Sequence, residues 1–185
     1  MVRDLDKITL AELMKLIEEN DTKSVTEILI NFKDNWNKLM EENEKVNNRI
    51  RLFGLVLQKK DLSGLNLSNL VIEQSDFSDS DFSDSDLSNT TVFYSDFSNT
   101  TFNNSNVNNA RMTQSDMSES RLEKVSGNIY FTGSVNLFNT YAGEIPVRQE
   151  RYQTSPEITK KGFDKMEYYE HLAEHGEDHE DHHHY

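Results

Sequence analysis

All six histidines of this 185-residue chain stand among its last fifteen residues, at His171, His175, His179, His182, His183 and His184, interleaved with Glu and Asp. His171, His175 and His179, four apart, could face one way on a helix, and neutral imidazole is a common transition-metal ligand. They stand in a run of His, Asp and Glu at the end of a polar tail, which reads as a weak, non-specific binder of divalent ions and not as a metal site. Ser and Asp abound between residues 75 and 120, but they recur periodically, as solvent-facing wall positions would, and no histidine lies near them in sequence. A Ser/His/Asp arrangement is therefore not expected. The chain has no cysteine, which removes thiolate metal sites, cysteine nucleophiles and disulfides. No phosphate-cradling glycine loop or paired catalytic carboxylates stand out, so no catalytic residue and no cofactor are expected, and the protein reads as non-enzymatic. The sequons at Asn89, Asn99 and Asn103 arise from the repeat alphabet and carry no weight.

The formal net charge is −14 and only 35% of residues are apolar, which disfavours a large globular core. It also argues against direct nucleic-acid binding, which needs clustered Lys and Arg. Residues 1–60 carry 11 acidic and 11 basic side chains, 61–125 carry 11 and 3, and 126–185 carry 11 and 5. The first twenty residues hold no continuous apolar run, so neither a signal peptide nor a membrane span is expected, and the location reads as cytoplasmic or virion-associated.

What must position any function is a five-residue period. Leu62, Leu67, Ile72, Phe77, Phe82, Leu87, Val92, Phe97, Phe102, Val107, Met112, Met117 and Leu122 are apolar without a miss. Two residues before most of them stands a small one: Ser75, Ser80, Ser85, Thr90, Ser95, Thr100, Ser105, Ala110, Ser115, Ser120. Periods of 3.6 or 2 would scatter this set around a helix or across a strand. A chain that turns a quarter every five residues gathers it on one axis.

The segment from about 61 to 125 resembles the pentapeptide-repeat family, whose pattern is a small residue, Asp or Asn, Leu or Phe, then two polar residues. The resemblance implies a mainly β fold, a right-handed quadrilateral β-helix of about three coils. Phe77, Phe97 and Met117 would stack in one internal ladder, and Phe82, Phe102 and Leu122 in the next. Leu65, Leu70 and Val71 depart from the pattern, so the first coil should be irregular and packed on something. Phe93 and Tyr94 are outward aromatics on a polar wall, against a loop or tail of the same chain or against a partner.

The flanks look like covers for the open ends that such a coil leaves. Thr9 and Glu12 form a capping-box pattern ahead of an amphipathic helix carrying Leu10, Leu13, Leu16 and Ile17 and ending near Asn20. Val25, Leu29, Phe32, Trp36, Leu39, Val46, Ile50 and Phe53 then fall at steps of three and four, as in one long heptad helix ended by Gly54, with Asn43 in an a position. That helix either pairs with the first or self-associates, with Trp36 and Asn43 at the contact. After Gly127 the period fails. Tyr130, Phe131, Phe138, Tyr141 and Tyr152 suit an extended arm clasping a neighbour or capping the last coil, and a short helix is expected from Thr159 to about Glu174.

The expected organisation is thus a helical segment at 1–54, the β-helix at 55–127 and an arm with an acidic, His-rich tail at 128–185. Function should lie in protein–protein contact. One reading is a structural or assembly protein, a homo-oligomer or part of a larger assembly, of the kind found in phage virions. The other is an acidic DNA mimic acting on a type II topoisomerase such as gyrase, which the small number of coils disfavours. No membrane partner is expected.

Overall fold

Each pentapeptide makes one side of a square, and the computed structural model, which describes residues 4–141 and 148–149, shows how its residue types do so. The central apolar residue points to the axis, and every one from Leu57 to Leu122 is buried. The Asp or Asn before it accepts the backbone N–H of the residue after it, as in Ser78 N–H to Asp76 Oδ1 (3.1 Å), Ser83 to Asp81 (2.8 Å), Ser88 to Asp86 (2.8 Å) and Ser118 to Asp116 (2.8 Å). That side-chain turn bends the backbone into a left-handed residue at the corner. Corner positions with positive φ include Gly64, Asn69, Asp79, Asp84, Asn89, Asn99, Asn104 and Asn109, of the residue types that tolerate this region best, and also Lys59, Glu119 and Lys124.

The small residue opening each pentapeptide is also inward, and its hydroxyl ties turns together. Ser75 Oγ accepts Leu55 N–H (3.1 Å) and Ser95 Oγ accepts Ser75 N–H (3.1 Å), while Ser80 Oγ donates to Leu57 O (2.6 Å) and Thr90 Oγ1 to Leu67 O (2.6 Å). The expected ladders form: the rings of Phe77 and Phe97 stack at 4.8 Å and those of Phe82 and Phe102 at 5.4 Å.

Four faces result, each a parallel ladder, with a twenty-residue register on three of them and, as far as Thr113, on the remaining one. The first holds β1 (Arg51–Phe53), β2 (Val71–Glu73), β3 (Thr91–Phe93), β4 (Ala110–Thr113), β5 (Ile129–Thr132) and β6 (Arg148–Gln149), paired in chain order. The second, third and fourth are single-bridge ladders starting at Val56↔Asp76, Asp61↔Asp81 and Asn66↔Asp86. The fold is a mainly β quadrilateral solenoid of about four turns with helices at its amino-terminal end.

The solenoid is longer than the repeat pattern indicates. Its first turn begins at Ile50, and the stretch expected as an extended arm forms a partial fifth turn, with Asn136 on Asp116 and Tyr141 on Arg121. This turn is joined by a slip. β4 pairs with β5 nineteen residues on, as in Arg111↔Tyr130, because the corner at Gly127 is drawn in. Gly127 has φ +88, and a Cβ there would lie 2.4 Å from the Asn108 Cα. The shortened corner and the longer return past Gly133 hide the period from a five-residue count.

The amino-terminal helices correct the heptad expectation. The capping box at Thr9 and Glu12 forms and α1 runs Leu10–Glu18. The long helix does not form: α2 (Thr22–Asn31, capped by Asp21) and α3 (Lys33–Val46) are separated at Phe32, whose ψ of 46 is non-helical. Steps of three and four serve two helices folded round a common core as well as one long seam, and the break turns Ile28 and Leu29 together with Trp36, Leu39 and Met40 inward. Asn47, with φ 54, ends α3, and Ile50 and Phe53 belong to the first turn. The helices therefore meet the solenoid, with no coiled-coil seam left among the described residues.

Candidate interaction surfaces

Among the repeat residues that might do chemistry, the Asp side chains are already acceptors in the corners. At one repeat position they still meet different surroundings. On the second face Asp76, Asp96 and Asp116 stack on one another and under Asn136, and all four are buried, Asp96 to 2% exposure. Gln58 donates to Asp76, and Asn136 Nδ2 donates to Asp116 Oδ2 at 3.4 Å. Burial, and then the charge of Asp96, push the Asp116 carboxyl above the ordinary Asp range, against the hydrogen bonds from Ser118. On the third face Asp61 and Asp81 are exposed. Lys33 Nζ lies 2.8 Å from Asp61 Oδ1 and, with the Ser63 hydrogen bonds, holds that carboxyl well below the ordinary range.

The expectation that the Ser and Asp residues face solvent as a plain acidic wall is thereby corrected. Asp76, Asp79, Asp81, Asp84 and Asp86 are neighbours in sequence but lie around three faces of the second turn. They form a belt across the solenoid and not a strip along it. Above them on the third face stand Thr101 and Arg121, and on the fourth Asn106.

Trp36 and Asn43 are not surface contacts. Trp36 is fully buried, with its Nε1 donating to Asn66 O at 2.7 Å. Asn43 is buried at the end of α3, its Nδ2 donating to Asn48 O at 2.8 Å, with Oδ1 lacking a hydrogen-bond partner. Phe131 points inward and is buried. Phe93, Tyr94 and Tyr130 are half-buried on the first face or its corner, and the Arg111 guanidinium lies 5.3 Å from the Tyr130 ring centroid. Phe53 on the same face is exposed. Tyr94 has φ 49 at a corner where the other turns place Gly54, Gln74, Gln114 and Gly133. Phe138 and Tyr141 are 49% and 57% exposed on the last turn. Phe93 and Tyr94 were readable from sequence as outward wall residues, and Tyr130, Phe131, Phe138 and Tyr141 only as part of an arm; Phe53 was missed because the heptad pattern absorbed it.

The expected metal residues His171, His175 and His179, the helix from Thr159 and Tyr152 lie outside the described residues. Among the described residues no group of three or more His, Cys, Asp or Glu could hold a metal ion, and no helix is long and apolar enough to cross a membrane. A crevice of about 30 Å³ between α1, α2 and β1, lined by Leu16, Asn20, Val25, Arg51 and Phe53 among others, has room for about one water.

A four-sided parallel solenoid with small, acidic and apolar residues at fixed corners defines a class of protein whose repeat residues build shape. The family profile of pentapeptide repeats matches residues 57–92 and 95–126 in eight copies. Over this span the chain carries pentapeptide repeats. Similar solved structures include the pentapeptide-repeat protein Rfr23 from the cyanobacterium Cyanothece 51142, 20% identical over 51% of this chain and 62% of that one, with a TM-score of 0.42. HetL from Nostoc sp. strain PCC 7120, described as involved in heterocyst differentiation regulation, is 20% identical over 58% of this chain and 47% of its own, with a TM-score of 0.29. QnrB1, a plasmid-mediated fluoroquinolone resistance protein, is 12% identical over 62% of this chain and 89% of its own, with a TM-score of 0.23. The chain thus spans less than two thirds of the first of these. No curated protein matches it in sequence.

Proposed function

We propose that this is a non-enzymatic interaction protein whose first face is the contact surface for a protein partner. One observation carries the reading: the outward residues of that face include the aromatics Phe53, Phe93 and Tyr130 and, beside Tyr130, Arg111, set among Arg51, Val71, Glu73, Thr91, Thr113 and Thr132, while Asp residues of the repeat are engaged in holding the turns. Aromatic residues and Arg are enriched where proteins meet. Tyr94 sits beside them in a backbone region that disfavours bulky residues, a cost of about 1–2 kcal/mol that Gly54 and Gly133 avoid at the same corner and Gln74 and Gln114 share. The rigid solenoid spaces these side chains at its own rise of roughly 4.8 Å per turn.

The test is a photo-crosslinking amino acid placed at Phe93, with Ser83 on the third face as control, in cells of the native source. A discrete adduct from position 93 that is absent from 83 and lost on Arg111→Ala is the expected result. Equal labelling from both faces would remove the first face from the reading.

The acidic mimic of duplex DNA is the second reading, and the belt-like charge of the second turn weighs against it, since a duplex presents charge continuously every ~1.7 Å along its axis. Supercoiling by a purified type II topoisomerase, unaffected by the protein, is the outcome expected here. A structural role within a phage particle or a homo-oligomer draws no support from any residue described above.

A further inference from the structure

Each strand from β1 to β5 sets two side chains outward on the first face, and between Arg51 and Thr132 the charged ones are Arg51, Glu73 and Arg111. The charged bridge residues elsewhere are Asp76, Asp96 and Asp116 on the second face, Asp61, Asp81 and Arg121 on the third, and Asp86 on the fourth. In a chain of net charge −14, the first face therefore carries more guanidinium than carboxylate.

Arg51 and Arg111 stand in one column, three rungs or roughly 14 Å apart, and are used differently. Arg51 is paired with Glu73 of the next turn. Arg111 is exposed, and its guanidinium lies 5.3 Å from the centroid of the Tyr130 ring on the rung above. A ring takes one face of the guanidinium plane and leaves the N–H fork at its edge. Among the described residues no carboxylate occupies that fork. The hydroxyls beside it, on Thr113 and Thr132, are bonded to each other at 2.5 Å. Phe93 lies one rung down in the adjoining column, so Arg111 is the charged group between two half-buried aromatic rings.

We propose, on the contact reading above, that the protein partner of the first face presents a carboxylate, an Asp or Glu side chain, which forks onto Arg111 while apolar groups beside it rest on Phe93 and Tyr130. Guanidinium and carboxylate match in charge and in planar, two-point geometry. A phosphate group brings about two charges and a nucleic acid a continuous row, and the second cation that either needs is already held by Glu73. Docking over Phe93 and Tyr130 excludes water from the pair and strengthens it beyond an exposed surface pair. The Tyr130 ring also holds the guanidinium across the face beforehand, so little side-chain freedom is lost on binding.

The experiment uses the full chain with a photo-crosslinking amino acid at Phe93, in cells of the native source, in four forms: otherwise unchanged, Arg111→Met, Arg111→Lys and Arg111→Glu. Met keeps a stem against Tyr130 and removes the charge, and equal urea midpoints for the four chains separate lost contact from lost folding. The expected result is an adduct whose yield falls at least tenfold with Met, further with Glu and less with Lys, and whose crosslinked partner segment holds an Asp or Glu. Exchanging that partner residue for Arg should then restore the adduct of the Arg111→Glu chain. An adduct that survives Arg111→Met at full yield overturns the carboxylate and leaves the first face as the contact surface. A crosslinked segment without Asp or Glu, or an exchange that restores nothing, does the same. Absence of any adduct from position 93 overturns the contact reading itself, and the carboxylate with it.

Discussion

Asp116 and Asp61 occupy the same position of the repeat, make the same turn to the residue two on, and titrate in opposite directions. Asp116 stands in the buried column of the second face under Asn136, and burial with the Asp96 charge raises it. Asp61 stands at the exposed edge of the third face, and Lys33 from α3 lowers it. A repeat position thus fixes what a side chain does for its own turn and leaves open what surrounds it. That second property comes from the stack above and below and from elements outside the repeat.

The largest expected effects test whether the difference stops at the surface. Phe97 lies behind the second face and Phe102 behind the third, both fully buried. Phe97→Ala and Phe102→Ala should each cost about 3–5 kcal/mol in urea unfolding. A much smaller loss for Phe102 would mean that the two faces differ inside as well. Next, Asp76→Ala leaves the buried Ser78 N–H and hydroxyl without their acceptor and should cost about 1–3 kcal/mol, whereas water replaces the acceptor in Asp81→Ala and holds the loss below about 1 kcal/mol. Equal losses would break the comparison.

Smaller effects sharpen it. Asp116→Asn keeps the acceptor for Ser118 and removes a charge from the column, so the urea midpoint at pH 7 should rise; Asp61→Asn removes the Lys33 pair and should lower it by no more than about 0.5 kcal/mol, since that pair is exposed to solvent. The pH dependence carries opposite signs. The raised Asp116 contributes stability that is fully present below the unfolded pKa near 3.9 and lost as pH rises through its folded value. The lowered Asp61 contributes stability present above about 3.9 and lost as pH falls through its folded value. Stability curves of the two Asn variants, subtracted from the parent between pH 7 and 3, should therefore slope in opposite senses, and parallel curves would contradict both assignments.

The inward ladders were legible from sequence because one residue in five had to be apolar to close the axis, and the Thr9 and Glu12 cap because it is a local pattern. Other features were not. The break at Phe32 was hidden because heptad spacing does not distinguish a seam toward a second helix from one toward a solenoid end. Trp36 and Asn43, singled out as contacts, proved to be internal for the same reason. The Asp side chains looked like a wall because a linear run conceals that successive pentapeptides occupy different faces. The fifth turn was hidden by two compensating irregularities, the drawn-in corner at Gly127 and the longer path past Gly133, which spoil the count without ending the ladder.

That corner also sets how such a protein can grow. From Ile50 to the end of the third turn, each turn repeats its predecessor at the same register on all four faces, so a duplicated block of twenty residues would drop in and find every rung matched. Past Gly127 the unit is no longer interchangeable: the backbone there lies against Asn108 too closely for any side chain, and a copied block would inherit one short corner. Lengthening by a uniform twenty-residue block is thus open below Gly127, and above it the ladder continues only with a compensating longer return.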